Sequence, residues 1–184
     1  MTGEANEGGV IWICGLSGVG KTTLAAEVVR LMRKTHPNVT ELDGDDFRKR
    51  YMPQIGYQRE DRLVIARAMS KAAWLGAREG SLCVVSTISL LTEIHRRNRA
   101  CEEALHLPFV LSLLSAPTAL LRARRGALMQ DAIDVVGIDI NADMPDDPDH
   151  QFTNNGDIDL LHGEAIKIGE LWRTRRAHLA RSAS

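Results

Sequence analysis

Long apolar stretches are missing from this 184-residue chain. None approaches the ~18–20 residues of a membrane-spanning helix, which excludes that class. An excess of one charge is missing too: 23 Lys and Arg stand against 24 Asp and Glu, a formal net charge of −1. A dedicated nucleic-acid binder would carry a pI above about 9, and an acidic disordered tail would be poor in apolar residues. Neither fits a chain that is 44% hydrophobic. Cysteine is sparse, and Cys14, Cys83 and Cys101 form no C-x-x-C pair. They read as buried packing residues of a protein in a reducing compartment, not as disulfide partners or metal ligands. The histidines form no H-x-x-x-H pair, which argues against zinc. Met1 to Gly9 is polar and acidic, without the basic start of a secretory signal. The chain therefore reads as a cytoplasmic globular protein, with residues 1–8 a flexible leader and 9–184 one domain of ordinary size.

Short apolar runs alternate with longer helical stretches, the signature of an α/β domain with a mostly parallel sheet. Val10-Ile11-Trp12-Ile13-Cys14 is apolar throughout, as a strand buried on both faces requires. Leu24, Val28, Leu31 and Met32 recur at helical spacing between Leu24 and Arg33. Further strands are predicted over 39–42, 82–85 and 109–114, with a strand-like Gln151-Phe152-Thr153. Helices are predicted over 62–78, 92–105, 117 to about 129, and 159–180. Gly80 stands where a glycine closes a helix. His95, on the charged helix 92–105, is expected to face solvent. The acidic, proline-rich stretch 141–149 is expected to be a solvated loop, since the spacing of a calcium loop is absent.

Gly15-Leu16-Ser17-Gly18-Val19-Gly20-Lys21-Thr22 matches G-x-x-x-x-G-K-[ST] at every fixed position, between a strand and a helix as that motif requires. A loop wrapped around phosphates must point successive backbone N–H groups inward, and glycines leave room for that. The following helix adds unpaired N–H groups and partial positive charge. Gly15, Ser17, Gly18, Val19, Gly20, Lys21, Thr22 and Thr23 are thus candidates to bind ATP. Lys21 supplies charge to the β- and γ-phosphates, and the Thr22 hydroxyl suits Mg²⁺. Two rival motifs fail: Val19 breaks G-x-S-x-G, and Thr23 breaks G-x-G-x-x-G.

Among P-loop proteins, a GTPase would show N-K-x-D, and no Asn here precedes Lys. The predicted strands 82–85 and 109–114 end in Ser86-Thr87 and Ser115, not in the acid of a hydrolytic ATPase. The acids come early instead, at Asp43 and Asp45. Asp43-Gly44-Asp45 alone reads equally as a turn. Beside a P-loop it reads as a kinase's acceptor site, with one carboxylate at the acceptor hydroxyl and an acid helping to hold the metal.

These residues together resemble the adenylylsulfate kinase family. The segment Gly15 to Thr23 is similar to its G-L-S-G-x-G-K-[ST]-T, and Leu42-Asp43-Gly44-Asp45-Asp46-Phe47-Arg48 to its L-D-G-D-N-x-R. Gly56-Tyr57 with Asp61-Arg62 resembles G-F-x-x-x-D-R, Ile88-Ser89 with Arg99 resembles the I-S-P segment, and Gly137-Ile138-Asp139 a later G-I-D. The resemblance implies a three-layer P-loop fold, with a parallel sheet of about five strands flanked by helices. It implies transfer of the γ-phosphoryl group of ATP, with Mg²⁺, to a ribose hydroxyl of a nucleotide conjugate. In that reading Lys21, Asp43 and Arg124 are catalytic, and Thr22 and Asp43 hold the metal. Asp43, Asp45, Arg48, Tyr57, Arg62, Ile88 and Ser89 bind the acceptor: guanidinium forks suit oxyanions, and an aromatic ring suits a base. Nucleic acid and membrane are not expected as partners, and a homodimer is compatible with the family.

Several positions depart from the family pattern. Its Asn after D-R is Ile65, its Pro after I-S is Leu90, and its aromatic before T-G-I-D is Val135. Of its lid sequence only Arg124 remains, with Arg122 and Arg125 nearby. Thr87-Ile88-Ser89, Glu93-Ile94, Asn98-Arg99 and Val135-Val136-Gly137-Ile138-Asp139 are more similar to the cytidine diphosphoramidate kinases, so the acceptor nucleotide stays open. The residues also fit another small-molecule P-loop kinase, or a nucleotide-binding module without catalysis.

Overall fold

The computed structural model describes residues 7–126 and 143–182. Five strands, β1 (Gly9–Cys14), β2 (Val39–Asp43), β3 (Leu82–Thr87), β4 (Phe109–Ser115) and β5 (His150–Thr153), form one sheet in the order β2-β3-β1-β4-β5. Every pairing is parallel. The apolar run of β1 sits at the centre between β3 and β4, and all six of its residues are buried.

Successive strand side chains point to opposite faces, so β1 feeds two cores. Val10, Trp12 and Cys14 pack with Ile65, Met69, Trp74 and Phe109. Ile11 and Ile13 pack with Leu24, Val28, Ile168 and Trp172. Helices α3 (Arg59–Arg78) and α4 (Thr92–Leu105) cover the first core, α1 (Lys21–Met32) and α6 (Ile158–Ser182) the second. Helices on both faces of a parallel sheet give the expected three layers. Truncating a buried anchor such as Leu24 to Ala would cost about 2–5 kcal/mol. Among the described residues no helix is long and apolar enough to cross a membrane.

The closing glycine of α3 behaves as its sequence suggested. Gly80 has φ +86°, its N–H donates to Ala77 O, and the Ser81 N–H donates to Gly76 O. Those two bonds cap the last carbonyls of the helix. The α3 start is three residues earlier than periodicity indicated, because Gln58 and Asp61 form a reciprocal cap ahead of the apolar pattern. Helix α5 (Thr118–Gly126) is shorter than the predicted 117–129, whose end lies outside the described residues.

One helix was not expected. α2 (Gly44–Tyr51) occupies the stretch that reads as a turn, and it buries no residue. Its signals are electrostatic: Asp43 caps it, Asp45 and Asp46 lie in its first turn, and Arg48, Lys49 and Arg50 lie in its last. Each charge complements the helix dipole.

One expectation about a polar residue is corrected, and another is met only in part. His95 is buried, at 4% exposure, with its ring turned to the Ser89 carbonyl ahead of α4 rather than to solvent. The acidic stretch is a loop with Asp146 and Asp147 exposed, as expected, but it is anchored at both ends: Asp143 pairs with Arg59 at the surface, and Asp149, largely covered, pairs with Arg99 and Arg175. Asp149 also accepts the Leu111 N–H, so it ties α4, β4 and α6 together. Asp131 and Asp134 lie outside the described residues. At the chain's start, Glu7 pairs with Arg176, and its carbonyl accepts the Nε2 proton of His36.

Candidate active site

In a parallel sheet the crevice for ligands opens at the carboxyl ends of the strands, where the strand order reverses. Here β1 lies between β3 and β4, so its C-terminal loop, residues 15–20, emerges at that point. A cavity of about 390 Å³ opens there. Ser17, Gly18, Gly20, Lys21, Thr22 and Thr23 line it from the loop, with Asp43, Asp45 and Arg48 from the end of β2 and α2. Tyr57, Arg59, Arg62 and Ile65 line it from the start of α3, Ile88 and Ser89 from the segment after β3, and Arg124 from α5.

Two candidate loop residues stand behind this surface. Gly15 lies against β4, where a Cβ would come 2.1 Å from Leu114 O. The Val19 side chain is fully buried in the α1 core. Gly20 shows why the motif needs glycine: its φ is +102°, and a Cβ would meet Asn154 Nδ2 at 2.6 Å. Asn154 is buried after β5 and donates from Nδ2 to Val19 O at 2.8 Å, while its Oδ1 accepts the Gly156 N–H at 2.8 Å. It pins the loop from beneath. In the sequence it belongs to Asn154-Asn155-Gly156, a run that reads as no more than a turn.

Lys21 Nζ donates to Leu16 O at 2.8 Å. Burial pushes its pKa down from 10.5 to about 8, opposed chiefly by the nearby Asp45 carboxylate and, more weakly, by Asp43. A desolvated ammonium so placed gains strongly from an arriving polyphosphate. Arg124 Nη1 donates to Gly18 O at 2.7 Å, which brings a second cation to the loop. The Arg125 side chain and residues 135–139, with Gly137-Ile138-Asp139, lie outside the described residues.

Asp43 is the hub of the site. Its Oδ2 accepts from Thr22 Oγ1 at 3.0 Å and Ser86 Oγ at 2.8 Å. Its Oδ1 accepts the N–H groups of Asp45 and Asp46 at 2.9 and 3.3 Å. Burial opposes its charge, but these hydroxyls and amides outweigh burial and hold its pKa below the ordinary carboxylate value. A carboxylate with both oxygens so occupied is a fixed negative charge and a weak base. Ser86 was not singled out from the sequence. It stands where β3 ends without an acid, and it orients the acid that β2 supplies.

On the far side, Arg48 donates to the carbonyls of Ile55 and Gly56, and its guanidinium carbon lies 4.4 Å from the centre of the Tyr57 ring. Arg62 Nε donates to Tyr57 O at 2.6 Å. Tyr57 itself is 60% exposed, so its ring is available to a ligand. The structure thus brings Arg48, Tyr57 and Arg62 together opposite Lys21, Thr22 and Asp43. Arg99 does not join them, because Asp149 and Glu102 hold it behind β4. Among the described residues no group of three or more His, Cys, Asp or Glu side chains could enclose a metal ion.

The chain is similar to known proteins over most of its length. The family model described as adenylylsulphate kinase matches residues 7–152. An adenylyl-sulfate kinase of Myxococcus xanthus is 30% identical over 174 residues, covering 91% of this chain and 92% of that protein. A cytidine diphosphoramidate kinase of Campylobacter jejuni is 29% identical over 141 residues, covering 74% and 81%. The Mycobacterium tuberculosis APS kinase in complex with AMPPNP and APS superimposes with a TM-score of 0.78 at 29% identity, over 89% of this chain and 98% of that one. The chain belongs to the adenylylsulfate kinase family, phosphotransferases that act on an alcohol group.

Proposed function

We propose that the protein transfers the γ-phosphoryl group of ATP to a ribose hydroxyl of a nucleotide conjugate, either adenylylsulfate or cytidine diphosphoramidate. The observation that carries this reading is the shared cavity: Lys21, Thr22 and Asp43 line one side, Arg48, Tyr57 and Arg62 the other. The first set suits a triphosphate tail, the second an anionic nucleotide. A related kinase binds AMPPNP and APS, which supports ATP as donor here.

The residues around Thr22 also fit Mg²⁺. Thr22 Oγ1 and Asp43 Oδ2 are hard oxygen donors 3.0 Å apart, the separation of neighbouring ligands in an octahedral shell of radius about 2.1 Å. When bound, the ion neutralises charge on the transferring phosphoryl group. The loop amides and Lys21 orient the triphosphate, and Arg124 adds charge where the phosphoryl group passes. Asp43, held ionised by its donors, orients the acceptor hydroxyl by accepting a hydrogen bond. Arg48 and Arg62 grip the acceptor's anionic group, and Tyr57 stacks on its base. Phosphoryl transfer needs little covalent help, so this positioning accounts for most of the catalysis. We place the reaction in the cytoplasm, where ATP is supplied and where three unpaired thiols persist.

The test is a parallel assay of both conjugates with ATP. Transfer to either supports the reading. Turnover of sugars or other non-nucleotide alcohols alone overturns it, and so does tight ATP binding without transfer to any nucleotide conjugate.

A further inference from the structure

The wall that faces the acceptor side, residues 88–91 between β3 and α4, has no helix or strand to fix its shape. It is fixed from behind by side chains that never reach the cavity. Trp12 Nε1 donates to Ser89 Oγ at 2.9 Å. His95 Nε2 lies 2.9 Å from Ser89 O, and a carbonyl only accepts, so Nε2 carries the ring proton. Both donors are buried, Trp12 at 0% and His95 at 4% exposure, and Trp12 belongs to the core packed against α3 and α4.

The same face of α4 continues this polar seam. Three residues on, Asn98 Oδ1 accepts from Ser70 Oγ at 2.6 Å and Trp74 Nε1 at 3.0 Å, both on α3. The α3 helix carries Arg62 and Ile65 into the cavity. His95 and Asn98 thus join the two elements that shape the acceptor side, and the imidazole is the only one of these groups bonded to a wall carbonyl. Burial holds the ring below its usual pKa, so it is neutral, with Nδ1 unprotonated and unpartnered among the described residues. A buried donor whose second nitrogen stays unsatisfied carries a cost. Apolar packing would avoid that cost and would leave the Ser89 carbonyl unheld.

We infer that His95 is a positioning residue for the acceptor: its Nε2–H, with Trp12 Nε1–H, fixes the Ser89 wall against which the acceptor nucleotide binds, and it has no part in binding ATP. The inference rests on the kinase reading above. The test uses the full-length protein and calorimetric titration with adenylylsulfate, cytidine diphosphoramidate and AMPPNP, each for wild type, His95→Phe, His95→Gln and Trp12→Phe. His95→Phe keeps the ring and loses the donor, whereas His95→Gln keeps an amide donor.

Affinity for the acceptor that wild type binds should fall about tenfold in His95→Phe and recover at least in part in His95→Gln. AMPPNP affinity should stay within about twofold in both, since phosphate contacts are untouched. Trp12→Phe should weaken the acceptor in the same direction, which keeps the test open should His95→Phe not fold. An unchanged acceptor affinity in His95→Phe and Trp12→Phe overturns the inference. Parallel losses for acceptor and AMPPNP with a lowered Tm also overturn it, because they mark a purely structural role. A wild type that binds AMPPNP but neither conjugate overturns the kinase reading first, and the inference with it.

Discussion

The hydroxyl of Thr22 donates to the carboxylate of Asp43 across 3.0 Å, joining the phosphate loop to the end of β2. The same carboxylate caps α2 through the amides of Asp45 and Asp46. One acid therefore sets a helix and orients a site, and the two duties separate by substitution. Asn is as good a helix cap as Asp, whereas Ala lacks the accepting oxygen. Asp43→Asn should keep the fold with little change in Tm while lowering kcat by about a thousandfold. Asp43→Ala should lose activity equally and also about 1 kcal/mol of stability. Thermal denaturation alongside steady-state kinetics checks both.

The displaced pKa of Lys21 gives a pH signature. Its ammonium titrates near 8 in the free protein, against an ordinary 10.5, because it is buried. The charged form therefore prevails below about 8 and is lost as pH rises through it. Bound triphosphate favours the charged form, so binding above that pH must draw in a proton. AMPPNP titrations in buffers of different ionisation enthalpy should show little proton uptake at pH 7, rising toward about one proton at pH 9. Lys21→Met should abolish the uptake and weaken AMPPNP.

Asn154 and Gly20 should behave as a coupled pair. Asn154→Ala leaves the buried Val19 carbonyl unpaired, at a cost of about 1–3 kcal/mol, and should weaken AMPPNP more than either acceptor. Gly20→Ala brings a Cβ within 2.6 Å of Asn154 Nδ2 at a φ of +102°. It should weaken AMPPNP binding measurably, and the double variant should be less impaired than the sum of the single losses. Binding measured across that cycle decides it.

The cysteines should differ sharply in reactivity. Burial raises the Cys14 thiol to about 12 and the Cys83 thiol to about 11, and both are essentially inaccessible. Cys101 is partly exposed. A thiol reagent at pH 8 should label one cysteine rapidly in the native protein and all three after denaturation, with peptide mapping to identify the first.

Local signals in the sequence placed the elements that define the sheet. The unbroken apolar run of β1, the glycine pattern of residues 15–20 and the Gly80 terminator each depend on neighbours a few residues away. What stayed hidden depends on distant partners. α2 is short and has only Phe47 and Tyr51 as large apolar residues, too few for a periodic pattern to reveal it. His95 sits next to arginines in sequence, and only its burial and its contact with the Ser89 carbonyl show that it turns inward. Asp149 looked like one acid among many until Arg99 and Arg175 met it across the fold. For the candidate site, the loop, Asp43 and the arginines were legible as motifs. Ser86 and Asn154 were not, because a lone hydroxyl or amide gains meaning only from the atom it touches.

The central claim is that the cavity joins a triphosphate to a nucleotide's ribose hydroxyl. Phosphorus NMR of the wild-type protein with ATP, Mg²⁺ and each conjugate follows that bond directly. One conjugate should lose signal as a new phosphate monoester on its ribose appears, in step with ADP and without free phosphate. Inorganic phosphate accumulating with ADP while both conjugates stay intact would contradict the account.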